Sequence, residues 1–387
     1  MSMTTRLSAA LAGAIATLAV ASASASAFAP GPLQRPAPGP LPPLGPQRAV
    51  FVQTDNLSGN QIVSYERGWN GTLTPVGIYD TGGLGGTLEG AEVDHLASQG
   101  SLAYEPAEGI LYAVNAASNT ISVFSVSGAR LVLRQVLGSG GEFPVSIAVA
   151  HGLVYVLNAE EGGSLQGYAL LFGRLVPIPG SNRALGLNPA AKPQFTNTPG
   201  QVAFSPDDQQ LIVTTKANGS DIDVFAVGTR GQLSASPEVN PEAGTVPFAV
   251  SFDREGHLVV AEAAGFLASF ALNANGTITQ LDSVATEQQA TCWVTANGSD
   301  FFASNAGSAS LSAFQSGAGG ALAPLGDTST DAGTVDAATS SDGRFLYVQT
   351  GAAGIVDEYA IGAQGTLSRV GSVTVPGAIG GEGIVAQ

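Results

Sequence analysis

The stretch NGTLTPVG at residues 70–77 returns as NGTITQLD at 275–282 and as QGTLSRVG at 364–371. The apolar residue that follows each turn of this kind makes a series: Leu73, Leu131, Leu175, Leu233, Ile278, Leu322 and Leu367, spaced by 58, 44, 58, 45, 44 and 45 residues. A period near 45 with two equal excesses is a sevenfold internal repeat carrying two insertions.

A second series keeps the same order: VFVQT (50–54), YAVN (112–115), YVLN (155–158), IVTT (212–215), VVAE (259–262), FASN (302–305) and YVQT (347–350). Each is a short run of β-branched and aromatic residues, the composition of a buried strand. Alternating segments such as TISVFSV (120–126) and DIDVFAV (221–227) add a third strand, and GQVAFSPDD (200–208) shows a fourth ending in a tight turn. Apolar spacings of three and four are missing, so helices are not expected. Seven units of four strands predict an all-β, seven-bladed β-propeller of four antiparallel strands per blade over residues 48–387. Asn-Gly and Gln-Gly favour left-handed backbone angles, so the repeated turn is the hairpin between the two outer strands. The first unit starts at Arg48 on its second strand, and GGEGIVAQ (380–387) has the form of an inner strand with nothing after it. The C-terminal strand is therefore expected to close blade one, which removes exposed strand edges.

Ahead of the repeat, Arg6 precedes an apolar run from Leu7 to Val20 and the small-residue stretch ASASASA (21–27). This is the pattern of a cleaved export signal over residues 1–27 and predicts an extracellular or periplasmic protein without a membrane span. Residues 28–47 are rich in proline, which lacks the N–H that helix and sheet need, and read as an extended tether. With 30 acidic against 14 basic residues, the net charge of −16 argues against nucleic acid as a partner. The single cysteine, Cys292, excludes an intramolecular disulfide. A monomer acting on a small molecule is the expectation.

Both insertions, TGGLGGTLEGAEVDHLASQG (81–100) and GSNRALGLNPAAKPQFTNTP (180–199), fall in blade-to-blade connections. In a four-stranded blade these share one face with the loops joining second and third strands, so they are expected to shape the channel mouth, where function tends to sit. His95, with Glu89 and Asp94 nearby, is the acid–base candidate, since a carboxylate beside an imidazole raises its pKa. The plainer alternative is an incidental histidine in a solvated acidic loop. Gln99, Gln201, Lys216, Trp293, Asp336 and Glu382 are the ligand-binding candidates at the mouth, polar groups with an aromatic that suit a neutral hydroxyl-bearing ligand. No His/Cys metal motif, phosphate-cradling loop or Gly-x-Ser-x-Gly elbow occurs, so no metal or cofactor site is assigned, and calcium binding by the acidic loop stays open without a diagnostic pattern.

The segments PGQVAFSPDDQQLIVTT (199–215) and SSDGRFLYVQT (340–350) resemble the seven-bladed lactonase-type propellers, which include 6-phosphogluconolactonases and carboxymuconate-lactonizing enzymes. That resemblance implies a cofactor-independent enzyme with its site at the channel mouth. Family members carry histidines and an arginine where inner strands begin. Here the corresponding positions read Thr198-Pro199-Gly200-Gln201 and Phe143-Pro144-Val145-Ser146, so that His/Arg pattern is absent. An exported lactonase-like hydrolase or isomerase is the leading expectation. Its alternative is a non-catalytic propeller that binds a small ligand, glycan or protein on the same face. A redox propeller comes last, for want of ligand clusters.

Overall fold

Residues 48–387 are described by the structure, a computed structural model; the expected export signal and tether lie outside them. Seven antiparallel sheets follow one another, each ordered from an inner to an outer strand. Blade two runs through Leu102–Glu105, Ile110–Asn115, Thr120–Ser127 and Arg130–Gly138, and blades three to seven repeat the pattern. Blade one is assembled from both ends of the domain. Its inner strand, Ile384–Ala386, pairs antiparallel with Ala49–Gln53, with Val50 opposite Ala386 and Val52 opposite Ile384. The Gln387 N–H donates to the Ala49 carbonyl at 2.8 Å and completes the seam.

Burial explains the composition of each strand type. Second strands such as Ile110–Asn115 and Phe345–Thr350 are buried at every position, because neighbouring blades cover both faces. Outer strands such as Leu367–Thr374 alternate towards solvent. Blades are tied across their shared cores by buried tyrosines. The Tyr347 hydroxyl of blade seven donates to the Gly71 carbonyl of blade one at 2.8 Å, and Tyr155 of blade three donates to Gly231 of blade four at 2.5 Å. Gly71 belongs to the repeated Asn-Gly turn; its φ is +90°, and a Cβ there would overlap the Phe345 ring. The turn thus recurs because it both reverses the chain and receives the adjacent blade.

Blade four departs from the repeat. Leu233 makes only an isolated bridge to Val227, and the outer strand is Glu238–Pro241. Pro237, just ahead of it, has no N–H to donate and interrupts the ladder. Among the described residues, helix is confined to short single turns, and no helix is long and apolar enough to cross a membrane.

Candidate functional site

The first insertion crosses the channel mouth and is held at each step. Its Gly83 carbonyl accepts from Asn60 N–H, and its Gly85 N–H donates to the Asn56 carbonyl, both on the blade-one loop. The Leu84 N–H donates to Ser118 Oγ of blade two. Farther along, Glu89 N–H donates to Gln194 Oε1 of the second insertion, and His95 N–H to the Gly380 carbonyl of the closing segment. Val93 lies so close to blade seven that a Cβ on Gly351 would overlap its carbonyl. The insertion is therefore a lid that fills the mouth.

Beneath it, the inner strands are bolted across the channel. The Gln99 amide donates to the Val294 carbonyl and accepts its N–H, both at 2.9 Å, and Trp293 Nε1 donates to the Ser98 carbonyl at 2.6 Å. Gln201 Oε1 accepts the Val250 N–H at 2.6 Å. The buried Glu382 carboxyl accepts from Gly100 N–H at 2.9 Å, while its own N–H donates to Asp55 Oδ2 at 2.8 Å. Asp336 Oδ1 accepts the Ala337 N–H. Burial raises the pKa of Asp55 to about 8 and of Asp336 to about 7, and pushes Glu382 well above the usual carboxylate range with the help of its acidic neighbours.

The open space is a cleft of about 670 Å³ between the two insertions and blades four to six. Phe195, Phe248 and Trp293 supply its aromatic surface, with aliphatic groups between them; the Phe248 and Trp293 ring centroids are 4.9 Å apart. Val246 and Ala290, which begin blades five and six at its rim, have φ of +58° and +54°. For the β-branched Val246 that left-handed backbone is a real cost, so the surrounding packing fixes the rim.

Two charged groups reach this cleft from buried positions. Lys216 is fully buried on a left-handed residue, φ +55°. Its Nζ donates to the Ala97 carbonyl at 2.6 Å, the Phe195 carbonyl at 2.7 Å and Thr198 Oγ1 at 3.2 Å, and it lies 5.2 Å from the Phe248 ring centroid. Burial pushes its pKa down to about 7, opposed by the charge of Asp94. Asp94 accepts the Leu96 N–H on Oδ1 at 2.8 Å and the Ser98 N–H on Oδ2 at 2.9 Å. Its pKa is raised by burial to about 6, with those N–H groups and Lys216 holding it from going higher. Cys292 also lines the cleft, its thiol pushed by burial up to about 12, which keeps it protonated and a poor nucleophile.

The structure distributes the sequence candidates. Asp94, Lys216 and Trp293 meet in the cleft. Gln201, Glu382, Gln99 and Asp336 are spent on strand cohesion, the last two also lining a separate cavity of about 380 Å³ along the inner strands of blades one, two, six and seven. Glu89 is exposed and forms an ion pair with Lys192 of the second insertion. The His95 ring is half-buried against Gly380, with Nδ1 lacking a partner, so burial lowers its pKa where the sequence suggested a carboxylate would raise it. Asp94 lines the cleft while the His95 ring packs against Gly380 outside it, so the two do not act on one site. Sequence reasoning missed Phe195 and Val246; the one signal for Phe195 is that it is the lone aromatic of residues 180–199. Among the described residues no group of three His, Cys, Asp or Glu side chains is placed to hold a metal ion.

The profile of the family described as "Lactonase, 7-bladed beta-propeller" matches residues 77–380. The chain belongs to this lactonase propeller family. No curated protein matches this member of the family in sequence. Among solved structures, it is similar to a candidate 6-phosphogluconolactonase from Bacteroides fragilis, with 18% identity and a TM-score of 0.73 over 89% of this chain and 99% of the other. It is also similar to a periplasmic gluconolactonase from Pseudomonas aeruginosa, with 18% identity and a TM-score of 0.70 over 87% and 98%. A protein from Lactobacillus plantarum shares 22% identity at a TM-score of 0.71 over 88% and 99%. At these identities the likeness is one of fold.

Proposed function

We propose that this propeller hydrolyses a lactone in the cleft between its insertions, with Asp94 as general base. One observation carries the reading: a buried carboxylate with a pKa raised to about 6 and a buried lysine share one largely apolar cleft. At neutral pH such a carboxylate is ionised yet basic enough to draw a proton from water. The water oxygen bonds to the lactone carbonyl carbon while the carbonyl π pair moves onto oxygen. Collapse of that tetrahedral species breaks the ring C–O bond, and the proton held by Asp94 passes to the departing alkoxide, giving a hydroxy acid. Lys216 has all three N–H groups engaged, so it serves as a fixed positive charge near the developing oxyanion and not as a nucleophile. Water is the only co-reactant, so the reaction needs no cofactor.

Purified protein assayed against a panel of lactones should show hydrolysis above background that Asp94→Asn removes. If His95→Ala abolishes it and Asp94→Asn does not, the base is His95. The second reading, binding without turnover, draws on the fact that both Asp94 oxygens already accept backbone N–H groups. Saturable binding with no ring opening for any lactone would favour it. Residues 1–27 support export of the protein to the periplasm or beyond. N-terminal sequencing of the mature chain tests this, since an intact Met1 would refute cleavage.

A further inference from the structure

We propose that the lactone taken by this cleft carries an apolar alkyl or aryl substituent and is neither a polyhydroxylated nor a phosphorylated sugar lactone. The proposal rests on the reading of the cleft as the lactone site and concerns what that site selects. A sugar lactone presents several hydroxyl groups, and each that is buried without a partner weakens binding. The polar side chains that reach this cleft from buried positions already have partners, and the remaining lining carboxylate, Glu92, is exposed to solvent. Lys216 Nζ has three acceptors, Trp293 Nε1 donates to Ser98, and each Asp94 oxygen accepts a backbone N–H. What remains for a ligand to cover is the aromatic surface of Phe195, Phe248 and Trp293, with aliphatic side chains between. The cleft, at about 670 Å³, falls within the range of roughly 300–1,000 Å³ that suits drug-sized ligands. A lone six-carbon sugar ring would leave much of it empty. A phosphate is disfavoured further, because among the described residues Lys216 is the only cation lining the cleft and the chain carries a net charge of −16.

The test is a homologous series of δ-lactones with side chains from methyl to octyl, compared with glucono-δ-lactone and its 6-phosphate. Only two tryptophans are present; in a Trp69→Phe variant, which removes the exposed one, fluorescence reports on Trp293 in the cleft. Affinity should rise about 3- to 4-fold per methylene until the cleft is filled. Phe248→Ala should flatten that rise, and both sugar lactones should bind about 100-fold more weakly than the octyl compound. Affinity that does not change along the series, or a preference for either sugar lactone, overturns the proposal. Hydrolysis is followed in parallel on the wild-type protein. Chain-dependent binding without ring opening would sink the hydrolase reading and leave the ligand class standing. Asp94-dependent hydrolysis of glucono-δ-lactone with a flat series would do the reverse. Absence of binding by every lactone overturns both.

Discussion

At the residue scale, Asp94 and Lys216 show how burial converts ordinary side chains into a tuned pair. Desolvation moves the carboxylate up to about 6 and the ammonium down to about 7, so that each sits close to neutrality. A base must be unprotonated to act. Hydrolysis should therefore climb as pH rises through about 6 and fall again as Lys216 loses its proton above about 7, giving a narrow bell-shaped profile. Asp94→Asn should lower the rate by about 100-fold or more while the variant still melts cooperatively, at a lower midpoint because one backbone N–H loses its acceptor, read by steady-state kinetics and calorimetry. Lys216 was legible in the sequence as a ligand-binding candidate at the mouth, and Asp94 as one acid of the first insertion. The choice between Asp94 and His95 was not. It depends on which way each residue of an irregular loop faces, and no period of two or 3.6 governs such a loop.

At the element scale, the lid matters because Gly90, Ala91, Glu92, Val93, Asp94 and Ala97 of the first insertion line the cleft. Its glycines are explained by close approach, and the same holds for the surfaces it lies on. At Gly351 the neighbour is the Val93 carbonyl, which a methyl group would displace. Gly351→Ala should weaken ligand binding by about tenfold through a shifted lid and cost only about 2 kcal/mol of stability, as titration and denaturant melts would show. If binding is unchanged, the lid does not shape the cleft. The strands themselves could be read directly, since second strands such as YVLN (155–158) and YVQT (347–350) open on an aromatic and a β-branched residue, are buried throughout and occupy the expected places. Blade four could not, because Pro237 moved its outer strand past the Leu233 anchor. The insertions gave their location but not their path: whether they decorate the rim or fill the mouth depends on long-range contacts such as Glu89 to Gln194, which local sequence does not encode.

For the whole molecule, two expectations follow from closure and buried charge. Removing residues 384–387 would leave the Ala49–Gln53 edge without its partner. Such a chain should lose on the order of 10 °C in thermal midpoint and aggregate, measured by differential scanning fluorimetry and light scattering. The buried carboxyls also set a pH dependence of stability. Asp55 and Asp336 have folded-state values raised to about 8 and about 7 from an ordinary value of 3.8, and Glu382 is raised as well. Between those limits the folded state binds more protons than the unfolded chain, so their contribution is complete at low pH and disappears as pH climbs through 7 to 8. Lys216 acts in the opposite sense, but only above about pH 7. The protein should melt about 5 °C higher at pH 5 than at pH 8; a higher midpoint at pH 8 would mean that these carboxyls remain ionised in the folded state.

The lid is anchored to blades one and two, to the second insertion and to the segment that zips the wheel shut. Whatever occupies the space under it acts like a keystone, since prying the ring apart would first require evicting the guest. Compounds that fit can accordingly be found by their effect on heat resistance alone. A thermal-shift screen of small molecules would thus reveal the natural ligand's chemistry before any turnover has been seen.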